Sequence, residues 1–269
     1  MGVKRGDKIV IGASSLAFLK YPAKDALERI NAADFEAWEI ILERGHAPRD
    51  FTKIKESVES YGLGIFAHAP FSDLNIASLN YKLREEAINQ IFDAIKTGNF
   101  LGAELINIHS GRLSPMGMYF EDEVREINVQ SVARIVEFAR DFDMKVCLEN
   151  APNFFGSISS TIGEIKEIRD RVGEDGLFLT LDVGHANTCG HIMDYIKELE
   201  DSIHHIHLHD NDGRDDLHRG IGSGNIDFRR VIEALKKIVN KSSIVIEVQS
   251  EQELFDSKTK LEAMLERVV

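Results

Sequence analysis

Short runs of Ile, Val, Leu and Phe recur along the chain, each followed by a longer stretch in which apolar residues return every three or four positions. The runs are Lys8–Ala13, Phe35–Leu42, Gly64–Ala69, Leu105–His109, Lys145–Glu149, Leu177–Asp182, Ile203–His209 and Ser243–Val248. Short, nearly continuous apolar runs predict strands covered on both faces. The stretches between them predict helices. Tyr81–Phe100 sets Leu83, Ala87, Ile91 and Ile95 on one stripe, and Phe120–Phe142 does the same with Val124, Ile127, Val132, Ile135 and Phe138. Phe228–Val239 and Gln252–Val269 supply the last two helices. Asp50, Asp227 and Ser250 (the last with Glu253 as capping-box partner) stand at helix starts, where a side-chain oxygen accepts from an otherwise orphaned N–H. Strict strand–helix alternation predicts a parallel sheet. Eight such units predict an α/β fold, a single (β/α)8 TIM barrel, rather than an open doubly wound sheet. No Gly/Ser- or Pro-rich linker interrupts the pattern, so residues 1–269 read as one domain.

Composition narrows the classes. With 43% hydrophobic and 29% charged residues the chain is globular rather than disordered. No apolar run approaches the ~20 residues of a membrane span, and MGVKRGDKIVIGAS has too short an apolar segment for a signal peptide. Cys147 and Cys189 are too few for a disulfide scaffold, which fits a reducing cytosol, so the expected location is cytoplasmic. The net charge of -13 argues against broad nucleic-acid binding without bearing on a local metal-lined patch.

Barrels of this kind place their chemistry at the C-terminal ends of the strands. His68 ends the third run, His109 the fourth and Glu149 the fifth. Asp182 and His185 close the sixth, His207 lies near the end of the seventh, and Glu247 lies in the eighth. Asp216 and His218 follow in the loop after the seventh. A lone histidine at a strand end is more often a hydrogen-bonded structural residue, and Asp182–His185 taken alone is a turn eased by Gly184. Glu149 and Glu247 resist that account, because a carboxylate buried without a partner costs several kcal/mol and needs a metal, an arginine or a proton. Agreement across six strand ends is the signal. Nitrogen and carboxylate donors without thiolates suit Zn, Mn, Co or Fe rather than Ca or a cysteine-rich zinc site.

Other residues read less sharply. His205, His207 and His209 share one strand face, so only some of them can be ligands. Cys147 lies a pleat below Glu149 and reads as core, Trp38 as packing; periodicity leaves open whether Glu39 or Glu43 reaches the rim. Ser14, Ser15, Arg44 and Asn187 stand in loops suited to contact a polyol, and Arg112 either holds a phosphate or pairs with an acid. The loop GIGSGNID lacks the GK[ST] of a P-loop. It either offers backbone N–H groups to a phosphate or is a Gly-rich turn capped by Asp227.

HAP at 68–70, LEN at 148–150, LDVGHA at 181–186, HLHDNDG at 207–213 and DLHRGIGSGNIDF at 216–228 resemble the xylose-isomerase-like barrel superfamily, which contains sugar-phosphate isomerases and epimerases and also endonuclease IV. The likeness runs from IGAS to IVIEV. In the isomerase/epimerase branch it implies Glu149, Asp182, His207 and Glu247 as ligands of one divalent metal (Zn, Mn, Co or Mg). Glu149 and Glu247 are then also the acid/base pair and His185 a contact to a substrate oxygen. In the endonuclease IV branch it implies up to three zinc ions, with His68, His109, His185, Asp216 and His218 added to the same four ligands. The surroundings depart from that second branch: LENAPNF, DVGH and GSGN differ from its wording, IGASS lacks its histidine, and Phe71 stands where a duplex-inserting tyrosine would be.

The expectation is therefore a divalent-metal-dependent isomerase or epimerase of a small sugar or sugar phosphate, with a small carbohydrate as partner and no membrane. A dehydratase beginning with the same α-proton removal is a variant of it. The alternative is a trinuclear-zinc endonuclease acting on DNA at abasic sites, and a third reading is a non-catalytic binding barrel. The oligomeric state is open.

Overall fold

In the computed structural model, residues 9–173, 175–239 and 243–266 are described; Lys8 of the first expected strand and residues 267–269 of the last expected helix lie outside them. The chain runs β1 (Ile11–Ser14), α1 (Ala23–Ala32), β2 (Ala37–Ile41), α2 (Thr52–Tyr61), β3 (Gly64–His68), α3 (Tyr81–Leu101), β4 (Leu105–His109), α4 (Glu121–Arg140), β5 (Lys145–Glu149), α5 (Ile162–Val172), β6 (Leu177–Asp182), α6 (Val183–Thr188), α7 (Ile192–Leu199), β7 (Ile203–Leu208), α8 (Phe228–Val239), β8 (Ser243–Ile246) and α9 (Glu251–Glu266). The strands pair in sequence order, all parallel, and β8 closes on β1. This is the (β/α)8 barrel that the alternating pattern predicts.

Strands β4, β5 and β6 coincide with their apolar runs. β2, β3 and β8 are shorter than the runs at 35–42, 64–69 and 243–248, because Phe35, Leu42, Ala69 and Val248 stay buried in the core outside the ladder; β7 stops one residue before the buried His209, and β1 spans Ile11–Ser14 rather than 8–13. Two of the expected caps form. Asp227 accepts from Arg230 N at 3.2 Å and Ser250 from Glu253 N at 3.3 Å, while Asp50 stands one residue before the N-cap Phe51 and accepts from Thr52 N at 2.9 Å. Among the described residues no helix is long and apolar enough to cross a membrane.

Two apolar layers surround the polar one. The larger lies between strands and helices. The smaller plugs the barrel from below with Val10, Ala37, Phe66, Leu105, Cys147 and Val245, and Phe178 packs against it. Side chains on a strand repeat their face every second residue. Two positions further along, the same inner face therefore carries Glu39, His68, Asn107, Glu149, Thr180 and Glu247, all buried. On six of the eight strands the inward face thus carries a polar residue two positions above an apolar one.

The β6–β7 pair departs from regularity in a way that shapes the site. Leu179 pairs with Ile203, yet Thr180 pairs with His205, so His204 is passed over. Without that extra residue Asp182 would stand opposite Ile206; with it, Asp182 is level with His207. A one-residue shift exchanges the two faces of a strand, and bulges re-aim side chains in this manner.

Candidate metal centre

Glu149 ends β5 with its carboxylate held from the side. Asn107 Nδ2 donates to Glu149 Oε2, and Asn107 is fixed in turn by Thr180 Oγ1, which donates to Asn107 Oδ1 at 2.6 Å. Opposite it, Glu247 Oε1 accepts from the Ser14 hydroxyl at 3.1 Å. Asp182 caps the start of α6 by accepting from His185 N at 2.6 Å. Asn150 pins the end of β6, donating to Asp182 O and accepting from Asp182 N at 3.0 and 2.8 Å.

The histidines are oriented through their far nitrogens. A backbone carbonyl only accepts, so a ring nitrogen facing one must carry the proton. His68 Nδ1 donates to Ala69 O at 2.8 Å, His185 Nδ1 to Asn150 O at 2.8 Å and His218 Nδ1 to Glu247 O at 3.1 Å. In each case Nε2 is turned toward an acid: His68 toward Glu149 at 3.7 Å, His185 and His218 each toward Asp216 at 3.1 Å. His109 Nε2 lies 3.1 Å from Glu149 Oε2, its ring stacked on Phe71 with centroids 4.7 Å apart. His207 is turned the other way. Its Nε2 donates to Glu39, and its Nδ1 stands 3.2 Å from Glu247, 3.5 Å from Glu149 and 3.8 Å from Asp182.

The structure brings together every residue singled out at the strand ends, in three adjoining groups. His68, His109 and Glu149 form one; Glu149, Asp182, His207 and Glu247 a second; His185, His209, Asp216 and His218 a third. Within each group the potential ligand atoms lie within 4.8 Å of one another. Several of those atoms are buried without a hydrogen-bond partner among the described residues, including Glu149 Oε1, Asp182 Oδ2, Asp216 Oδ1 and His207 Nδ1. Buried acceptors and nitrogen lone pairs left in this state are what a divalent cation satisfies, so the donor set fits such an ion.

The electrostatics agree. Burial alone would raise the Glu149 carboxyl, yet the neighbouring His109 and His207 imidazoles hold it well below the usual carboxylate range. Glu247 is likewise lowered, burial being outweighed by His207 and His218. Burial would lower His68 and His218, but the carboxylates around them lift both to about 9. Acids and imidazoles balance one another's charge in a space almost closed to water.

Above the groups opens a cavity of about 330 Å³, walled by Leu16, Ile41, Pro70, Phe71, Pro152 and Phe154. Glu149, His185, Asp216, His218 and Glu247 reach it, while Asp182 and His207 do not line it. Arg112 also lines it and makes no ion pair among the described residues; Asn75 holds its backbone, accepting from Arg112 N and donating to Arg112 O at 3.0 and 2.9 Å.

Several loop expectations are corrected. Ser15 accepts from Trp38 Nε1 and Ile41 N at 3.0 and 3.2 Å, so its hydroxyl is spent inside the barrel. Asn187 donates to Asn211 and Asn225 at 2.7 and 2.8 Å, knitting two loops together. Glu43 is the rim acid of β2 and binds the Phe71 and Ser72 amides, whereas Glu39 points into the barrel. The GIGSGNID loop is a turn built on an internal anion: Gly222, Gly224 and Ile226 N–H all donate to the buried Asp210 carboxylate, at 3.0, 2.8 and 3.3 Å. Those amides are not available to a phosphate. Cys147 lies in the inner core as expected.

Residue-by-residue reading missed Asn107, Asn150 and Asp210, and left His209 undecided. Asn107 did carry a signal, a lone amide on the inner face of LINIH. Asp210 carried none, because three of its partners are backbone groups more than ten residues away.

The sequence matches the family model described as a xylose isomerase-like TIM barrel over residues 27–267. An uncharacterized protein of Methanocaldococcus jannaschii is 37% identical over 262 residues, spanning 96% of this chain and 89% of its own. A solved structure described as a D-tagatose 3-epimerase-like protein superposes with a TM-score of 0.92 at 36% identity, covering 97% of this chain and 98% of that one. A probable endonuclease 4 of Mycobacterium leprae is 27% identical over 191 residues, 66% of this chain and 71% of its own length.

Proposed function

Because the chain belongs to the xylose isomerase-like TIM barrel family, we propose that it is a divalent-metal-dependent isomerase or epimerase acting on a small sugar or sugar phosphate. The observation that carries this reading is the convergence of Glu149 and Glu247 on His207 Nδ1, at 3.5 and 3.2 Å, with both also lining the cavity. Glu149, Asp182, His207 and Glu247 would hold the ion. Once bound, it would polarise a sugar carbonyl and the hydroxyl beside it, acidifying the carbon between.

The remaining work falls to the side chains. One of the two glutamates takes the carbon-bound proton and the other, across the pocket, returns one to the opposite face. Asn107 and Ser14 keep these carboxylates aimed and anionic. His185, which lines the cavity, would bind a substrate oxygen. The apolar walls exclude water, and a cavity of about 330 Å³ is the size of a small-molecule site. Arg112, the one Lys or Arg among the described lining residues, would receive a phosphate group.

One observation favours a second reading. The groups at His68–His109–Glu149 and His185–Asp216–His218 are as complete as the central one, which suits a trinuclear zinc endonuclease acting on abasic DNA. Elemental analysis after exhaustive dialysis separates the two. About one ion per chain, with ketose or ketose-phosphate turnover that Glu149→Gln abolishes while the fold survives, is the expected outcome. About three tightly retained zincs with nicking of an abasic duplex would replace the sugar reading, and full activity in Glu149→Gln would overturn its mechanism.

A further inference from the structure

Below the cavity lies a further carboxylate to which the proposed function gives no part. Glu39, on β2, is fully buried and does not line the cavity. Its Oε2 lies 2.5 Å from His205 Nε2 and 3.2 Å from His207 Nε2, and its Oε1 lies 3.0 Å from His207 Nε2. His205 is braced from behind by the Ser243 hydroxyl, 2.6 Å from His205 Nδ1. On the opposite edge of the His207 ring, Nδ1 has no hydrogen-bond partner among the described residues and faces Glu247, Glu149 and Asp182.

An ionised carboxylate can only accept, so Glu39 claims the Nε2 proton of His207. Any proton displaced by a cation must then leave Nδ1, the nitrogen aimed at the three acids. An anion behind an imidazole also strengthens the ring as a ligand and adds to the negative potential at the site. Compensating His205 alone would occupy one oxygen of Glu39. Instead both oxygens lie within 3.2 Å of His207 Nε2.

We propose that Glu39 is a positioning residue for the metal centre, fixing which nitrogen of His207 faces the ion and tightening its retention, with His205 and Ser243 holding Glu39 in place. This rests on the reading of His207 as a ligand. The experiment is competition between the full-length chain and a graded series of chelators for Mn2+ or Zn2+, comparing wild type with Glu39→Gln, Glu39→Ala and, as a surface control, Glu251→Gln. Affinity is expected to fall about 10- to 100-fold in the Glu39 variants and to stay unchanged in the control. Turnover in Glu39→Gln is expected to recover as the metal concentration is raised, which a merely misfolded variant would not do. The near-isosteric Gln keeps the test alive if the Ala variant fails to fold. Wild-type affinity in folded Glu39→Gln would overturn this inference alone. A wild-type chain that binds neither ion would overturn it together with the ligand reading.

Discussion

Gly184 lies against the His209 imidazole so closely that a Cβ at residue 184 would overlap three atoms of that ring. His209 cannot retreat. It is fully buried, stacked on His218 with centroids 3.9 Å apart, and its Nε2 lies 3.0 Å from Asp182 Oδ1. The glycine of LDVGHA is thus a packing requirement of the third histidine group rather than a relief for a turn.

Gly184→Ala should therefore lower stability by about 1–3 kcal/mol, the usual cost of overpacking a tight core. It should also push His209 toward His218 and weaken any metal held by His185, Asp216 and His218. Thermal denaturation and metal content of the variant, beside wild type, check both. An unchanged melting temperature would show that the His209 ring can move aside at no cost.

The metal-free protein should lose stability as the pH rises. His68 and His218 have folded-state values raised from 6.5 to about 9. Their contribution is fully present below about 6.5 and disappears as pH climbs through about 9. Although burial would lower it, the surrounding carboxylates Glu39, Glu247 and Glu149 likewise raise His207, so a cation taking its Nδ1 near neutral pH displaces a proton and its affinity should rise with pH. Denaturation midpoints of the chelator-treated protein across that range test the first statement. Calorimetric titration in two buffers of different ionisation enthalpy tests the second, and the absence of proton release would contradict it.

Asp210→Asn should loosen the loop that carries Asp216 and His218. The carboxylate now accepts from Asn211, Gly222, Gly224 and Ile226 N–H groups, and a Cβ at Gly224 would strike the Asn211 carbonyl. An amide at 210 turns an NH2 toward those donors, leaving buried N–H groups unpaired at about 1–3 kcal/mol. Faster amide exchange over residues 216–226 is the expected result, along with a lower melting temperature. Exchange indistinguishable from wild type would mean the loop is held by its other contacts.

The strand–helix alternation, the closed barrel and the strand-end acids and imidazoles were all legible in the sequence. Each is a local property: periodicity sets the element, and a polar residue at the end of an apolar run has to be satisfied where it stands. Three of the eight apolar runs match the observed strands residue for residue, and the others differ by one to three residues at an end, mostly where buried side chains continue past the ladder. What a residue faces across the barrel was not legible. Glu39 and Glu43 have the same composition and neighbouring positions, yet one clamps His207 beneath the site and the other binds the Phe71–Ser72 backbone at the rim. The GIGSGNID loop reads equally well as a phosphate cradle or a turn until Asp210 is seen to occupy its amides. Asp182 meets His207 only because the strand register skips His204. These outcomes depend on partners brought together by barrel closure from far along the chain, and no spacing within one segment encodes them.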